Sequence, residues 1–341
     1  MSGILTVARL EFRLRIRAGR WRWLVGAWFL VLLAVTMLVR SAADQENLVG
    51  DLEEQRTLGA AMFGVVMLVV LALALLVAPA LAAQSVNGDR ERGTLATLQV
   101  TRLSAAEIAV GKLLASWGTA LVFLAVTLPL ALWCYVEGGL SVLRIAGVYL
   151  VTGLLLGIVC AISLALSTLL ARTTTSAVLA YLTVFALTVG TLVTFGLITA
   201  STQTEARIRD DSYGGSYEIT VARPDRTWFL LAPNPFAVLA DSAPAAPVRK
   251  IRLPNGDTLE EPLNVDVLGS MSRELHRIRA TPRMYTTDYG TQFGVPEGVT
   301  GGPVWPLGLG IDLVLAAGAI WVTIVRLRTP TRKLARGQRI A

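Results

Sequence analysis

Residues 58–83 read LGAAMFGVVMLVVLALALLVAPALAA, an apolar stretch without a single charged side chain. A helix needs about 20 mostly apolar residues to cross a bilayer, because about 30 Å of hydrocarbon is traversed at about 1.5 Å per residue. The stretch also lacks the alternation of apolar and polar residues that marks a strand of a membrane β-barrel. It therefore predicts a transmembrane helix.

Five further stretches share this character. Their interiors contain no Lys or Arg, and Asp312 is the one acidic residue well inside any of them. Of the 341 residues, 54% are hydrophobic and 16% charged, whereas a soluble domain contains about a quarter charged residues. We therefore expect an all-α polytopic membrane protein with six transmembrane helices. The five stretches are 23–39, 113–136, 145–171, 177–200 and 304–325.

The net charge of +7 is placed in a way that predicts topology. Six arginines lie in residues 1–22, and six basic residues lie in the tail 326–341. The connection 84–112 adds four basic residues, whereas the connection 40–57 contains five acids. Basic segments stay on the cytoplasmic side of a membrane, so we expect a multi-pass plasma-membrane protein with both termini and residues 84–112 in the cytoplasm. The same distribution argues against a nucleic-acid partner.

The arm formed by residues 1–22 is basic and periodic. Ile4, Ala8, Phe12 and Ile16 would form one apolar stripe on a helix, with arginines beside it. Such a pattern is typical of an amphipathic helix that lies in the membrane interface. A disordered basic tail is the alternative interpretation.

The connection 84–112 is longer than the 2–8 residues that usually join antiparallel helices, so it must have structure of its own. Ser104 followed by Glu107 is a capping-box pattern, in which each side chain accepts a hydrogen bond from the backbone amide of the other residue. We expect two short helices, the second beginning at Ser104 and continuing into the third span. The connection is thus predicted to be a helical hairpin.

Residues 201–303, here called the inserted domain, separate the fifth and sixth spans and by parity lie outside the cytoplasm. Alternating residues 217, 219 and 221 and a turn at 254–257 predict β-structure. Leu268, Met271, Leu275 and Ile278 fit one face of a short helix. Residues 228–240 are apolar yet too short to span, which favours an interfacial or re-entrant segment or, alternatively, a buried strand or core helix. We therefore expect a large extracytoplasmic α+β insertion between helices five and six.

Catalytic and metal-binding motifs are absent from the sequence. It has no G-x-S-x-G elbow and no H-E-x-x-H pair, and its single histidine cannot form a metal cluster alone. Gly111-Lys112 looks like the end of a phosphate loop, but Ala106 stands where the first glycine belongs and Leu113 where Ser or Thr would hold magnesium. We therefore expect no catalytic residue and no cofactor on this chain. If its work consumes ATP, another polypeptide must bind it.

The connection 84–112 resembles the signature of type-2 ABC transporter permeases. In that family an acidic stretch with Gly-Thr-Leu follows the second span, and a Gly-Lys pair opens the third, as Gly111-Lys112 does here. Arg102 departs from the proline usual in the family, and the inserted domain is longer than the family's short connection. The resembling residues, which the resemblance implies couple the chain to an ATPase, are Asp89, Arg90, Glu91, Arg92, Gly93, Thr94, Leu95, Leu98, Glu107 and Lys112.

The resemblance implies the membrane subunit of an exporter. Such permeases pair with a second copy or a homologue, and each docks a separate ATPase subunit, which binds ATP and magnesium, through the hairpin and the arm. Leu95 and Leu98 would form the apolar centre of the docking surface, and Asp89, Glu91 and Arg92 would form its polar rim. An amphipathic, lipid-like, drug or peptide substrate would move outward. Without the resemblance, these charges would be read as a solvated loop.

Asp312 allows two interpretations. It is either a contact for substrate or proton on a transport path, or a boundary residue reached by water or capping its helix. Two other functions stay open from the sequence: an ion-coupled secondary transporter or channel, for which Asp312 alone is available, and a membrane sensor that uses the inserted domain.

Overall fold

The structure, a computed structural model, describes most of the chain, and its internal packing divides the chain into two compact units. The first unit comprises Met1–Val184 and Asp312–Ala341, and the second comprises Phe185–Ile311. The described residues are 3–17, 20–46, 58–93, 103–210, 215–244, 249–252, 258–261, 266–287, 290–296 and 298–328.

Six helices within the described residues are long and apolar enough to cross a membrane, which confirms the six predicted spans. Each overlaps one predicted stretch, and the second and third continue well beyond it into the connection between them. The protein is therefore an all-α polytopic membrane protein with small added sheets. The spans are Arg22–Ala42, Leu58–Glu91, Ala105–Val136, Val142–Leu169, Thr173–Ser201 and Trp305–Leu327.

The first unit is helical throughout its described part. Helices α3 (Leu58–Ala83) and α7 (Val142–Leu169) pack against each other, and α3 also approaches α6 (Leu128–Val136) closely. A Cβ atom at Gly59 would lie 2.0 Å from the carbonyl oxygen of Cys134, so a larger residue would push these helices apart. The helices are α1 (Gly3–Arg17), α2 (Arg20–Glu46), α3 (Leu58–Ala83), α4 (Asn87–Glu91), α5 (Ala105–Ala125), α6 (Leu128–Val136), α7 (Val142–Leu169) and α8 (Thr173–Phe185).

The N-terminal arm is a helix, as predicted, and one side of it contacts α5. Val7 is buried, and α1 packs along the start of α5. Ile4, Ala8 and Phe12 are only half-buried. Glu11, which lies one turn beyond Val7, bonds Lys112 on α5. The face that contacts α5 is therefore offset by one position from the stripe formed by Ile4, Ala8 and Phe12.

The second unit begins within the fifth span. A π-helical turn, Ala186–Gly190, joins α8 to α9 (Thr191–Ser201), and the inserted domain follows. Its described residues form three antiparallel two-stranded sheets and two α-helices. Its elements are β1 (Gln203–Asp210), β2 (Gly215–Ala222), α10 (Pro235–Ser242), β3 (Arg249–Arg252), β4 (Thr258–Glu261), α11 (Val267–Arg279), β5 (Arg283–Thr287) and β6 (Gly290–Gly294).

Several local predictions for this domain are confirmed. Strand β2 contains the alternating residues 217, 219 and 221, and β3 pairs with β4 around the predicted turn, which itself lies outside the described residues. Helix α11 buries Leu268 and Leu275 on the predicted face. The segment 228–240 forms a short 3₁₀ helix followed by α10, whose residues 237–241 are buried, as in the core-helix alternative.

The sixth span is α12 (Trp305–Leu327). Within and just before it, the buried residues recur every four or seven positions, which is the spacing of one helix face. Asp312 lies on this face and is 2% exposed, so it does not point towards lipid. The buried residues are Val304, Gly308, Asp312, Ala316, Thr323 and Leu327.

Candidate functional site

Lys112 occupies the centre of the site at the beginning of the third span. Its helix, α5, starts at the predicted capping box: the side chain of Ser104 accepts a hydrogen bond from the amide of Glu107, and the side chain of Glu107 accepts one from the amide of Ser104. Because the cap fixes where α5 begins, it also fixes the helix face on which Gly111 and Lys112 lie two turns later.

The ammonium group of Lys112 is fully buried and bonded on three sides. Its Nζ donates to Glu11 Oε1 at 2.5 Å, to the carboxylate of Asp89 and to the carbonyl oxygen of Ser85 at 2.9 Å. A Lys side chain has three donors and no acceptor, so this arrangement satisfies it completely. The two carboxylates remain 15% and 16% exposed and keep contact with water. One cation therefore joins α1, the residues after α3, and α5.

Glu107 forms a second connection between the arm and the hairpin. Besides capping α5, its carboxylate accepts a hydrogen bond from the amide of Gly3, the first residue of α1. Between the two connections the helices touch: a Cβ atom at Gly111 would lie 2.7 Å from the Cβ of Val7. Only glycine allows this approach without displacement of α1.

Arg90 attaches α4 to the end of the fourth span. Its guanidinium donates to the carbonyl oxygens of Thr168 at 3.3 Å and Leu170 at 3.2 Å, and to Asn87 Oδ1 at 3.1 Å. The last carbonyl groups of a helix lack intrahelical partners and carry partial negative charge, so a cation is favourable there.

The fourth and fifth spans hold the same segment through hydroxyl groups. The amides of Val86 and Asn87 donate to Ser167 Oγ, and the hydroxyl of Thr173 donates to the carboxylate of Glu91. The side chain of Ser176, on α8, donates to the carbonyl oxygen of Ala83 at 3.2 Å. The beginning of the hairpin is thus bonded to both spans.

The structure brings most of the described sequence-predicted residues into this assembly. Asp89, Glu107 and Lys112 join the arm, α5 and the residues after α3, whereas Arg90 and Glu91 face the fourth and fifth spans. Arg92 bonds only to Gly88 O among the contacts seen and is exposed, and Gly93 ends α4 with a φ of 69°. Thr94, Leu95 and Leu98 lie outside the described residues.

Sequence reasoning missed Glu11, although a signal was present. Among residues 1–22 it is the only acidic residue in a segment with six arginines. An isolated acid on an otherwise basic helix is the residue expected to face a buried cation. Its partner lies 101 positions along the chain, so the sequence pattern alone does not identify it.

Asp312 is not part of this assembly. Its Oδ1 atom has no hydrogen-bond partner within the described part of the chain, although the residue is buried. An unpaired carboxylate is expensive at such a position, which marks Asp312 as a separate candidate. No group of three metal-ligating side chains occurs among residues for which the structure is described.

The comparisons with known proteins agree with the layout of these elements. A family model described as ABC-2 family transporter protein matches residues 5–238, which is more than half of the chain. The match begins in α1 and ends in α10, and it includes the first five spans. It also includes Glu11, Asp89, Glu107 and Lys112, the side chains that join the arm to the hairpin and that are here called the arm-hairpin assembly. No curated protein matches the chain at a significant level.

Proposed function

The chain belongs to the ABC-2 transporter family, and we propose that it is the permease subunit of an ATP-driven exporter. In this proposal a separate ATPase subunit binds ATP and magnesium, and this chain supplies the path across the membrane. A second copy of the chain or a homologue completes the transporter. The substrate is an amphipathic, lipid-like, drug or peptide molecule that moves outward.

The arm-hairpin assembly is the observation that supports coupling to an ATPase. A force applied to residues 84–112 would reach the arm through Lys112, the fourth span through Arg90 and the fifth span through Glu91. A segment that transmits force between the ATPase and the spans must move as a rigid body. The packed interfaces that it acts on shift between discrete arrangements, and a segment that deformed would not drive such a shift. Charge-assisted hydrogen bonds provide that rigidity, since they are lost if the parts slide, and the Lys112 ammonium among them is fully buried.

The orientation of the chain follows from its basic residues. The arm and the tail carry the positive charge that keeps segments in the cytoplasm, and the assembly around Lys112 is continuous with the arm. The ATPase would therefore meet the hairpin on the cytoplasmic side. The inserted domain then lies on the opposite side of the membrane.

We assign the docking contact to residues 92–98 of the hairpin, of which Arg92 and Gly93 are exposed, whereas Thr94, Leu95 and Leu98 lie outside the described residues. Asp89, Arg90, Glu91, Glu107 and Lys112 have partners within the chain and would hold these residues in place. Apolar side chains within a polar rim are the usual composition of a docking surface.

Co-purification tests the docking contact. The chain carrying Leu95→Lys should lose the phosphate-loop ATPase that accompanies the unchanged chain from native membranes, as measured by mass spectrometry. Leu143→Lys is the matched control, since Leu143 is 72% exposed at the opposite end of the spans from the hairpin. Equal recovery of the ATPase with both variants would refute the docking assignment.

Asp312 is proposed to lie on the substrate path, because it is buried on the inner face of α12 with Oδ1 unpaired in the described structure. The same observation favours the second candidate, an ion-coupled transporter. Asp312→Asn separates the two. An exporter should keep its ATPase activity and change its substrate range, whereas an ion-coupled transporter should lose its response to an imposed ion gradient in vesicles that contain no ATPase.

A further inference from the structure

Asp241, the penultimate residue of α10, has a carboxylate that is fully buried in the second unit. Its Oδ2 atom accepts hydrogen bonds from the amides of Val304 at 2.6 Å and Trp305 at 2.8 Å. These amides open α12, and the first amides of a helix have no intrahelical partner. The carboxylate satisfies two of them and places a negative charge at the positive end of the helix dipole.

The other oxygen of Asp241 faces α11. The hydroxyl of Ser272 donates to Oδ1 at 2.9 Å, and Nε2 of His276 lies 2.6 Å from the same atom. Ser272 and His276 are four positions apart and therefore lie on one face of α11. A single carboxylate thus joins α10, α11 and the first turn of the sixth span.

Helix α11 also holds the chain that leads into α12. The amide of Gly301 donates to the carbonyl oxygen of His276 at 2.9 Å, and the guanidinium of Arg279 donates to the carbonyl oxygen of Pro303. Arg279 in turn lies over the ring of Trp228 at 4.3 Å, within the range of a cation–π contact. The end of α11 and residues 301–305 are therefore fixed to each other.

The first turns of α12 leave little room for movement against α10. A Cβ atom at Gly308 would lie 1.9 Å from the carbonyl oxygen of Ala232 and 2.8 Å from a methyl group of Val238. This backbone contact sets the position of the helix laterally, and the Asp241 carboxylate sets it along its axis, because hydrogen bonds to helix-end amides are directional.

We propose that Asp241 is a positioning residue for transport, through which the inserted domain sets the beginning of the sixth span helix, α12. The inserted domain would then be part of the moving transport machinery and not an independent appendage. This inference rests on the proposed function, since it assigns a role in the transport cycle. The carboxylate acts through the helix it caps and not through contact with substrate.

Hydrogen exchange tests the connection without any partner or substrate. In the full chain in lipid nanodiscs, Asp241→Asn should accelerate deuterium uptake at residues 304–305 by about tenfold or more, because an amide bonded to a charged acceptor is strongly protected. Ser272→Ala, a smaller change that keeps the cap, should accelerate it less. Ser270→Ala is the matched control, since its hydroxyl donates to Val267 O within α11 and not to Asp241. Equal uptake in Asp241→Asn and Ser270→Ala would overturn the connection.

A reporter on α12 tests the role in transport. Cysteine is introduced at the exposed Leu307 in a chain whose two native cysteines are replaced, and maleimide labelling is compared with and without ATP and vanadate in the ATPase complex. We expect the nucleotide-dependent ratio of labelling rates to collapse towards one in Asp241→Asn, to be partly restored in Asp241→Glu and to stay unchanged in Ser270→Ala. If Asp241→Asn does not fold, Ser272→Ala should still reduce the ratio.

The outcomes separate this inference from the proposed function. A nucleotide response that persists in Asp241→Asn and Ser272→Ala overturns the positioning role while the exporter stands. A background chain that shows no nucleotide response contradicts the exporter, even where the exchange experiment supports the connection.

Discussion

Lys112→Met is the substitution expected to damage the arm-hairpin assembly most. It keeps a side chain of similar length but removes the charge to which both Glu11 and Asp89 are bonded. Both carboxylates bond the same nitrogen, so their oxygens lie at most about 5–6 Å apart, and at an effective dielectric constant of 20 their repulsion is about 3 kcal/mol. Removal of one partner from a buried ion pair typically costs about 3–5 kcal/mol. We expect a loss of that size in the free energy of unfolding.

The matched variants Glu11→Gln and Asp89→Asn should cost less. Each leaves Lys112 with one carboxylate and the carbonyl oxygen of Ser85, and each affects a side chain that water already reaches. The loss of one charge-assisted hydrogen bond is about 1.5–3 kcal/mol. The triple variant that neutralises all three groups should recover part of the stability of Lys112→Met, since the repulsion between the two carboxylates is then removed.

Unfolding in mixed micelles, followed by tryptophan fluorescence across a denaturing-detergent titration, measures the four free energies. The reasoning is refuted if Glu11→Gln or Asp89→Asn costs as much as Lys112→Met, because Lys112 would then not be the shared centre of the cluster. In the ATPase complex, Lys112→Met should retain the co-purifying subunit and reduce its substrate-stimulated activity, because the variant leaves the docking side chains Leu95 and Leu98 unchanged and weakens only the connection of the hairpin to the arm.

Three further predictions follow from single contacts. Arg90→Met should lower the free energy of unfolding by about 1.5–3 kcal/mol in the same titration, because carbonyl groups at the end of α7 lose a charged donor. Gly111→Val should release the arm, seen as faster proteolysis within α1, because the new side chain collides with Val7, whereas Gly118→Val, which meets no atom within 4 Å, should not. The bidentate contact with Arg223 lowers the pKa of Asp225, so its stabilising effect is present above the unfolded pKa of about 3.9 and is lost as the pH falls through the lower folded value. Asp225→Asn should therefore reduce thermal stability at pH 7 and make little difference near pH 2.

The spans and the helix starts could be predicted because their causes are local. An uninterrupted apolar run such as 58–83 has one inexpensive arrangement in a bilayer, since every backbone group must bond within its own helix. The capping box of Ser104 and Glu107 requires two residues three positions apart, and the structure contains it as expected. Helix α11 and the strand pair β3–β4 could also be predicted, because their sequence patterns are local.

The residues that join these elements could not be predicted, because their partners are distant in sequence. Glu11 and Lys112 are 101 positions apart, and Asp241 lies 63 positions before Val304. The carboxylate of Asp241 has many possible hydrogen-bond donors in the sequence, and the hydropathy pattern does not show which of them it bonds. The burial of Asp312 was undecided for a related reason: whether it capped a helix or lay within one depended on where α12 begins, which the capping contact of Asp241 determines.

Three of the charged side chains that join described elements, Glu107, Asp241 and Arg90, follow one electrostatic rule. Carboxylates stand where helices begin: Glu107 bonds amides at the starts of α1 and α5, and Asp241 bonds those of α12. A cation, Arg90, stands where α7 ends. The backbone groups at these helix termini lack intrahelical partners, and a buried group of this kind that is left unsatisfied costs about 1–3 kcal/mol. A side chain that caps such a terminus cannot leave without that cost, so a helix capped by a neighbouring element must move together with it. Apolar packing alone would allow sliding, which is why we place the transmission of movement at these charged caps.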